Sequence, residues 1–266
     1  MYDEQLTTCR VCGNTEAIFQ QKGVLLSDIV VRYFECPSCG YIQTESPHWL
    51  DRAYATAIND SDTGIMSRNL ANARIVLATM MKLKILEGKI VDCAGGYGIL
   101  VRLLRDYGID ALWSDPYCTN LLARGFEHTN ESADLVTSFE ALEHFVYPVD
   151  EIDKMLAIAP NVLFSTEIIP EPAPMQDSWW YYGKEHGQHI GFFRIRTLEK
   201  IAKDRGKYLL SDGRSYHLIT EQKISPRFWR ILVRLNKIAP LLLQRSLVSK
   251  TWSDHLLHAQ KLNKVP

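Results

Sequence analysis

The chain has 266 residues, 46% of them hydrophobic and 23% charged, and a formal net charge of −1. That length and balance describe a globular protein able to bury its own core, and they exclude a wholly disordered, collagenous or coiled-coil chain. A near-zero total argues against a uniformly basic nucleic-acid binder, although it says nothing of charges segregated along the chain.

The start, Met1-Tyr2-Asp3-Glu4, has no basic n-region. No uninterrupted apolar run approaches the roughly 18 residues of a membrane span, so a cytoplasmic location is expected. Six cysteines without a signal segment are too few and too clustered for a disulfide framework. Cys9-Arg10-Val11-Cys12 and Cys36-Pro37-Ser38-Cys39 form two CxxC pairs, each followed by a glycine, Gly13 or Gly40. A CxxC turn aims two thiolates at one centre, and two such turns complete a closed tetrahedral S4 site. Cys9, Cys12, Cys36 and Cys39 are therefore expected to hold a structural Zn2+, against the alternatives of a redox pair or free thiols. Val24-Leu25-Leu26 and Ile29 to Phe34 supply the β-prone residues of a zinc ribbon over residues 1–50. Cys93 and Cys118 read as small buried residues.

Residues 51–222 form the second predicted domain. Apolar spacing from Ser67 to Leu86 predicts a helix ending before Gly88, and Ile90-Val91-Asp92-Cys93 predicts a strand. The strand runs into Ala94-Gly95-Gly96-Tyr97-Gly98 and then a second helix. Small residues there let the backbone approach a ligand, and the helix start offers free N–H groups. Ala111-Leu112-Trp113-Ser114 is a short strand ending in Asp115, placed to accept from ribose hydroxyls unless it is a turn or cap residue. Ala133 to Ser138 and Asn161 to Thr166 are two more strands. The alternation predicts an α/β fold with a mainly parallel sheet and a ligand crevice at the strand C-termini.

A proline-stiffened stretch, Glu167 to Pro174, leads to Trp179-Trp180-Tyr181-Tyr182, then His186, Gln188 and His189. The four aromatics are read as a stacking wall for a sugar or base, with a packed lid as the alternative. His189 is the candidate general base, because a neutral imidazole can accept a hydroxyl proton near neutral pH, and His186 stands beside it. His144 is read as either a pocket or a fold residue.

Residues 223–266 contain nine Lys or Arg against one acid, Asp254, so this tail carries +8 and residues 1–222 carry −9. Arg227, Arg230, Arg234 and Lys237 recur at helical spacing beside Phe228, Trp229, Ile231, Leu232, Val233, Leu235 and Ile238. Such a helix could lie on an anionic membrane surface, or pack on the core or in a homodimer, and Pro240 is expected to interrupt it.

The series Val91-Asp92-Cys93-Ala94-Gly95-Gly96-Tyr97-Gly98, Asp115-Pro116-Tyr117 and Phe139-Glu140-Ala141-Leu142-Glu143-His144-Phe145 resembles the successive motifs of class I S-adenosylmethionine-dependent methyltransferases over residues 68–222. Ala94 stands where their first loop glycine usually is. The resemblance implies a Rossmann-like fold and S-adenosylmethionine as cofactor. It implies that Gly96 and Gly98 border the methionine part, Asp115 holds the ribose hydroxyls, Asp92 organises the loop, and Glu140 lies near the cofactor edge. Ala94, Pro116 and Phe139 complete that cofactor-facing set. An NAD site is disfavoured, because the loop reads A-G-G-Y-G rather than G-x-G-x-x-G.

The knuckles with Cys39-Gly40-Tyr41-Ile42-Gln43, together with Gln188-His189-Ile190-Gly191-Phe192-Phe193, are similar to deoxysugar C-methyltransferases, which join a four-cysteine zinc domain to this core. Those enzymes carry Glu-His where Gln188-His189 stands, and a C-terminal α/β domain that this shorter chain lacks. Glutamine cannot take a proton as a carboxylate can, so methylation of a sugar hydroxyl is expected over C-methylation. The expected substrate is a sugar nucleotide or a lipid-linked glycan, handled in the cytoplasm or at the inner face of the membrane. The alternatives are a deoxysugar C-methyltransferase, an RNA methyltransferase, which the acidic body disfavours, and a non-catalytic zinc-containing binding protein.

Overall fold

The structure is a computed structural model and describes residues 7–55, 62–243 and 246–262, with the backbone alone for Lys261 and Leu262. Met1 to Glu4, Arg245 and Lys264, which the sequence reading uses, lie outside the described residues. The chain forms two compact units interleaved along the sequence. One draws on Met1–Asn59, Phe139–Lys154 and Phe164–Pro226, the other on Asp60–Ser138, Met155–Leu163 and Arg227–Pro266.

The first unit opens with β1 (Ile18–Leu25) and β2 (Ile29–Glu35), antiparallel with Leu25 opposite Ile29. Along β1, Gln21, Gly23 and Leu25 are buried and their neighbours exposed, the period-two pattern of a strand with one wet face. The short β3 (Ile42–Thr44) follows and is wholly buried. After α1 (Leu50–Ala53) the chain passes into the second unit.

There, α2 (Ile65–Leu83) buries Ala73, Ile75, Val76, Leu77 and Met80 at helical spacing. It stops at Lys84 rather than running to Leu86, because Lys84 adopts the left-handed conformation (φ 61°) and the Ile85 N–H returns to the Met80 carbonyl at 3.0 Å. β4 (Lys89–Cys93), α3 (Ile99–Asp106), β5 (Asp110–Ser114) and β6 (Leu135–Phe139) come next. β4 lies parallel to β5 on one side and to β6 on the other. The strand order therefore reverses at β4, the position in an open α/β sheet where ligands bind beyond the strand C-termini.

α4 (Pro148–Ile158), β7 (Val162–Ser165), β8 (Gly191–Phe192), α5 (Ile195–Asp204), β9 (Tyr208–Ser211) and β10 (Tyr216–Thr220) follow. The strands make a four-stranded sheet in the order β1-β2-β3-β8 and a six-stranded sheet in the order β5-β4-β6-β7-β10-β9. The six-stranded sheet is parallel around β4 and ends in the antiparallel pair β9 and β10. This is the α/β fold with a mainly parallel sheet that the alternating pattern predicts. In the smaller sheet, Ile42 and Gln43 of β3 pair with Phe192 and Gly191 of β8, so the cysteine-bearing segment is completed by a strand far downstream.

The chain ends in α6 (Pro226–Arg234), α7 (Ala239–Leu243) and α8 (Thr251–Leu262). Pro240 sits in the first turn of α7, where a missing N–H costs no helical hydrogen bond. It follows a short 3-10 turn at Asn236–Ile238, so the predicted interruption falls between α6 and α7. No helix among the described residues is long and apolar enough to cross a membrane.

Candidate functional site

In the second unit, β4 delivers Asp92 and the chain turns through Ala94, Gly96 and Gly98, all left-handed (φ 58°, 54° and 83°), into α3. A Cβ on Gly95 would lie 2.8 Å from Trp113 Cδ1 and 3.0 Å from Asp92 Oδ2, so only glycine fits there. Asp115, just past the end of β5, accepts the Gly96 N–H at 2.9 Å through Oδ2 and the Tyr117 and Cys118 N–H groups at 2.8 and 2.9 Å through Oδ1. The Trp113 indole N–H donates to the Gly96 carbonyl at 2.9 Å, fixing the loop from beneath.

Asp92 is 3% exposed and accepts the Thr137 hydroxyl at 2.7 Å. Burial, with the Asp115 charge adding to it, pushes the Asp92 carboxyl up to about 7 despite that hydrogen bond. Pro116 is exposed beside Asp115. Asp92, Ala94, Gly96, Gly98, Asp115 and Pro116 are thus brought together at the C-terminal ends of β4 and β5. The small-residue loop and a half-exposed carboxylate at a strand switch point fit the nucleoside and methionine parts of S-adenosylmethionine.

Phe139 and Glu140 belong to the first unit. Phe139 packs edge-on against Tyr216 with ring centroids 6.2 Å apart. Glu140 is left-handed (φ 52°); its N–H donates to Ser165 Oγ at 2.8 Å, and the Ser165 hydroxyl donates back to Glu140 Oε1. The chain then makes a 3-10 turn over Leu142–His144, which turns Glu143 wholly inward and leaves the His144 side chain about one-fifth exposed.

Three histidines meet here. The rings of His144 and His189 lie 4.9 Å apart, those of His186 and His189 4.8 Å, and Tyr181 stands 4.6 Å from His189. His189 Nδ1 is 2.6 Å from the Tyr181 carbonyl, which can only accept, so Nδ1 carries the hydrogen and Nε2 keeps a lone pair. His144 Nδ1 is 2.8 Å from the Tyr54 hydroxyl. Burial drives His189 well below the ordinary imidazole value, with His144 and His186 adding to it, and burial takes His144 down to about 3. Burial lowers His186 as well. Glu143 moves the opposite way, up to about 8, through burial and then the Glu140 charge.

Among the described residues neither carboxyl oxygen of Glu143 makes a well-aligned hydrogen bond, although the Tyr181 and Thr166 hydroxyls lie close enough to offset its upward shift in part, and His144 Nε2 is 3.9 Å from Oε1. Burial thus favours the uncharged form of Glu143 and of the three histidines, and each is of a type that can take up or pass a proton. Donor atoms of Glu143, His144 and His189 also lie within 4.8 Å of one another, close enough to share a cation. Sequence reasoning missed Glu143 and Tyr54. Glu143 stood in the motif beside His144, but two acids three residues apart do not reveal which one faces inward.

Gln188 is turned away from this group. Its side-chain amide donates to the Ala53 carbonyl at 2.9 Å, closing the end of α1, and its N–H donates to His186 Nδ1 at 3.1 Å. The aromatic run divides. Tyr181 and Tyr182 are 1% exposed and pack with Tyr33, Ile42, Trp49, Ile169 and Phe192, Trp179 lies half-buried against them, and Trp180 is 72% exposed. Tyr182 donates to the Pro174 carbonyl and accepts from Gln21. The two tyrosine rings therefore build the core under the histidines rather than a wet stacking wall.

The four cysteines form no disulfide. Cys9 and Cys39 sulfurs are 3.6 Å apart and Cys12 and Cys36 sulfurs 3.5 Å, with all four within 4.8 Å. A tetrahedron of zinc–sulfur bonds of about 2.3 Å has edges of about 3.8 Å, so the spacing fits the ion. Left-handed Gly13 and Gly40 close the knuckles by donating to the Cys9 and Cys36 carbonyls at 2.9 and 2.8 Å. The Thr197 hydroxyl donates to the Cys39 carbonyl, Thr44 N–H to the Ile190 carbonyl, and Ile190 N–H to the Glu143 carbonyl. These bonds, two main-chain and one from a side chain, join the cysteine segment to residues near the histidine group.

A family model described as a methyltransferase domain matches residues 65–211, more than half of the chain. The chain belongs to that family and is an S-adenosylmethionine-dependent methyltransferase. Among solved structures it is similar to magnesium protoporphyrin IX methyltransferase from Synechocystis PCC 6803 with bound SAH (TM-score 0.45, 16% identity, 64% of this chain and 92% of that one). It is also similar to human N-acetylserotonin methyltransferase in complex with SAM (0.41, 17%, 57% and 52%). A third likeness is to a chain of the complex between the Haloferax volcanii Trm112 methyltransferase activator and the putative methyltransferase (0.46, 16%, 66% and 99%). A search of the curated proteins gives no match.

Proposed function

We propose that the protein transfers the methyl group of S-adenosylmethionine to a hydroxyl of a sugar, carried as a sugar nucleotide or lipid-linked glycan, with His189 as the proton acceptor. The observation that carries this reading is the fixed imidazole of His189: its Nδ1–H is held by the Tyr181 carbonyl, which leaves the Nε2 lone pair available to a hydroxyl. Bound S-adenosylmethionine supplies an electrophilic methyl group on a sulfonium. Asp115 accepts from its ribose hydroxyls, and the Ala94 to Gly98 loop keeps side chains off its path.

His189 needs to take the hydroxyl proton only as the new C–O bond forms, and its lowered basicity keeps it in the unprotonated, accepting form. Gln188, tied to the Ala53 carbonyl, supplies no carboxylate for removing a proton from carbon, which favours O- over C-methylation. The cysteine site takes a structural zinc, since four thiolates leave no open coordination position. The setting is the cytoplasm, where thiols stay reduced and such intermediates are built.

The test is incubation of the full chain with methyl-labelled S-adenosylmethionine and separate pools of nucleotide sugars, lipid-linked glycans and RNA. Label is expected in a sugar pool as a base-stable ether. Label in RNA alone overturns the reading, and label retained on a sugar carbon moves it to C-methylation.

A further inference from the structure

We propose that α6 and α7 form a docking surface for an anionic lipid bilayer. This goes beyond the reaction and stands whether or not the acceptor is a sugar.

Around α6 the side chains sort into three stripes. Trp229 and Val233 (i, i+4) are buried on the unit's own core, Trp229 completely. Arg227, Arg230 and Arg234 (i, i+3, i+7) form a second, exposed stripe, continued by Lys237. Phe228, Ile231 and Leu235, again i, i+3 and i+7, form a third stripe facing away from the buried one, 46%, 55% and 50% exposed. Ile238, Leu241 and Leu242 extend it at 43%, 71% and 63% exposed. Lys82 of α2 sits over the Phe228 ring at 4.9 Å and adds a further cation at its edge. No acid occurs from residue 223 until Asp254.

A terminal helix packed only on its own core would hide its large apolar residues and point its charges outward. Here the segment from α6 to α7 points its charges outward but buries only part of its apolar side chains, leaving six large ones exposed to water, a patch that calls for an occupant. RNA phosphates would satisfy the four cations and leave the apolar stripe wet. A second copy meeting it across a two-fold axis would bury the apolar stripes but bring two sets of four cations together. An anionic bilayer matches both stripes, the apolar residues entering the acyl boundary and the cations meeting lipid phosphates.

The test is co-sedimentation of the full chain with vesicles of phosphatidylcholine alone and of phosphatidylcholine mixed with phosphatidylglycerol. Binding to the mixed vesicles is expected, weakening with salt and falling about fivefold for each cation removed in Arg230→Ala and Arg234→Ala. Leu241→Glu with Leu242→Glu should reduce it more than tenfold. Both leucines are exposed, so cofactor affinity and the circular dichroism spectrum should stay unchanged. Absence of binding to mixed vesicles overturns the proposal, as does binding that the leucine pair does not alter. A dimer in sedimentation velocity that Leu235→Glu dissociates, without vesicle binding, assigns the face to a second copy and also overturns it.

Discussion

At the scale of single residues, the proposed reaction turns on His189 and Asp115. His189→Ala should lower kcat by about 10²–10⁴-fold while the dissociation constant for S-adenosylmethionine, measured by calorimetry, stays put. Asp115→Asn should do the reverse, weakening cofactor binding by about ten- to a hundredfold through lost charge-assisted hydrogen bonds, with a smaller effect on kcat. The pH profile is a sharper check on His189. Glu143, His144, His186 and Tyr181 face its ring, and burial followed by the two histidines holds it well below its usual 6.5. It therefore remains an acceptor on acidification, and the acid limb of kcat should fall below the ordinary imidazole range. A limb at the usual value would assign the proton to another group. His189 could be named as a candidate from the sequence because a histidine can accept a proton near neutral pH. Glu143 could not, because its inward orientation arises from the 3-10 turn at Leu142–His144 and the left-handed Glu140 before it.

At the scale of elements, the cysteine segment and α8 are each held by a small set of bonds that can be cut. If the cysteines hold zinc as proposed, atomic emission should find the metal in the native chain and less in Cys36→Ser, whose Tm and turnover should both fall because β3 pairs with β8, two residues after His189. Gly191→Ala should weaken the same contact, since a Cβ there would overlap the Tyr41 hydroxyl. In the second unit, Arg105 holds Asp254 of α8 by two bonds of 2.8 Å and stacks on Phe126 at 3.6 Å. Asp254→Ala would leave the buried Arg105 guanidinium only the Asp110 carboxylate at 3.1 Å and the Ala111 carbonyl at 3.2 Å, and in denaturant melts it should cost less than the about 3–5 kcal/mol of a fully stranded charge. Burial raises the Asp254 carboxyl, yet Arg105 and Arg102 outweigh it and hold it below the ordinary value of 3.8. The stability it contributes is therefore present above that value and lost as pH falls through the lower folded one, a loss the variant should not show. The cysteine knuckles and the glycine loop were readable because spacing alone dictates them. β8 was not, since Gly191-Phe192 is a strand only through its pairing with Ile42 and Gln43. Nor was the turn from Leu25 to Asp28, where left-handed Leu26 and Ser27 replace the usual Asn-Gly and the Lys184 carbonyl holds the Leu26 N–H.

At the scale of the whole molecule, the net charge of −1 is the sum of an acidic body and a +8 tail, a division visible in the sequence. Which tail residues stand exposed was not visible, because periodicity marks an apolar face without saying what covers it. A mainly parallel sheet followed from strands alternating with helices, whereas its strand order and the interleaving of the two units depend on pairings between distant segments. That interleaving bears on how the protein comes off the ribosome. β3 has all three residues buried, yet its outer neighbour is made almost 150 residues later. Until Gly191 and Phe192 emerge, the nascent amino-terminal sheet carries an open edge with unpaired main-chain groups, the kind of edge that pairs with other chains. Translation pausing or truncation before residue 191 should therefore aggregate the cysteine segment even with zinc supplied, and the first unit is complete only when its third segment has been synthesised.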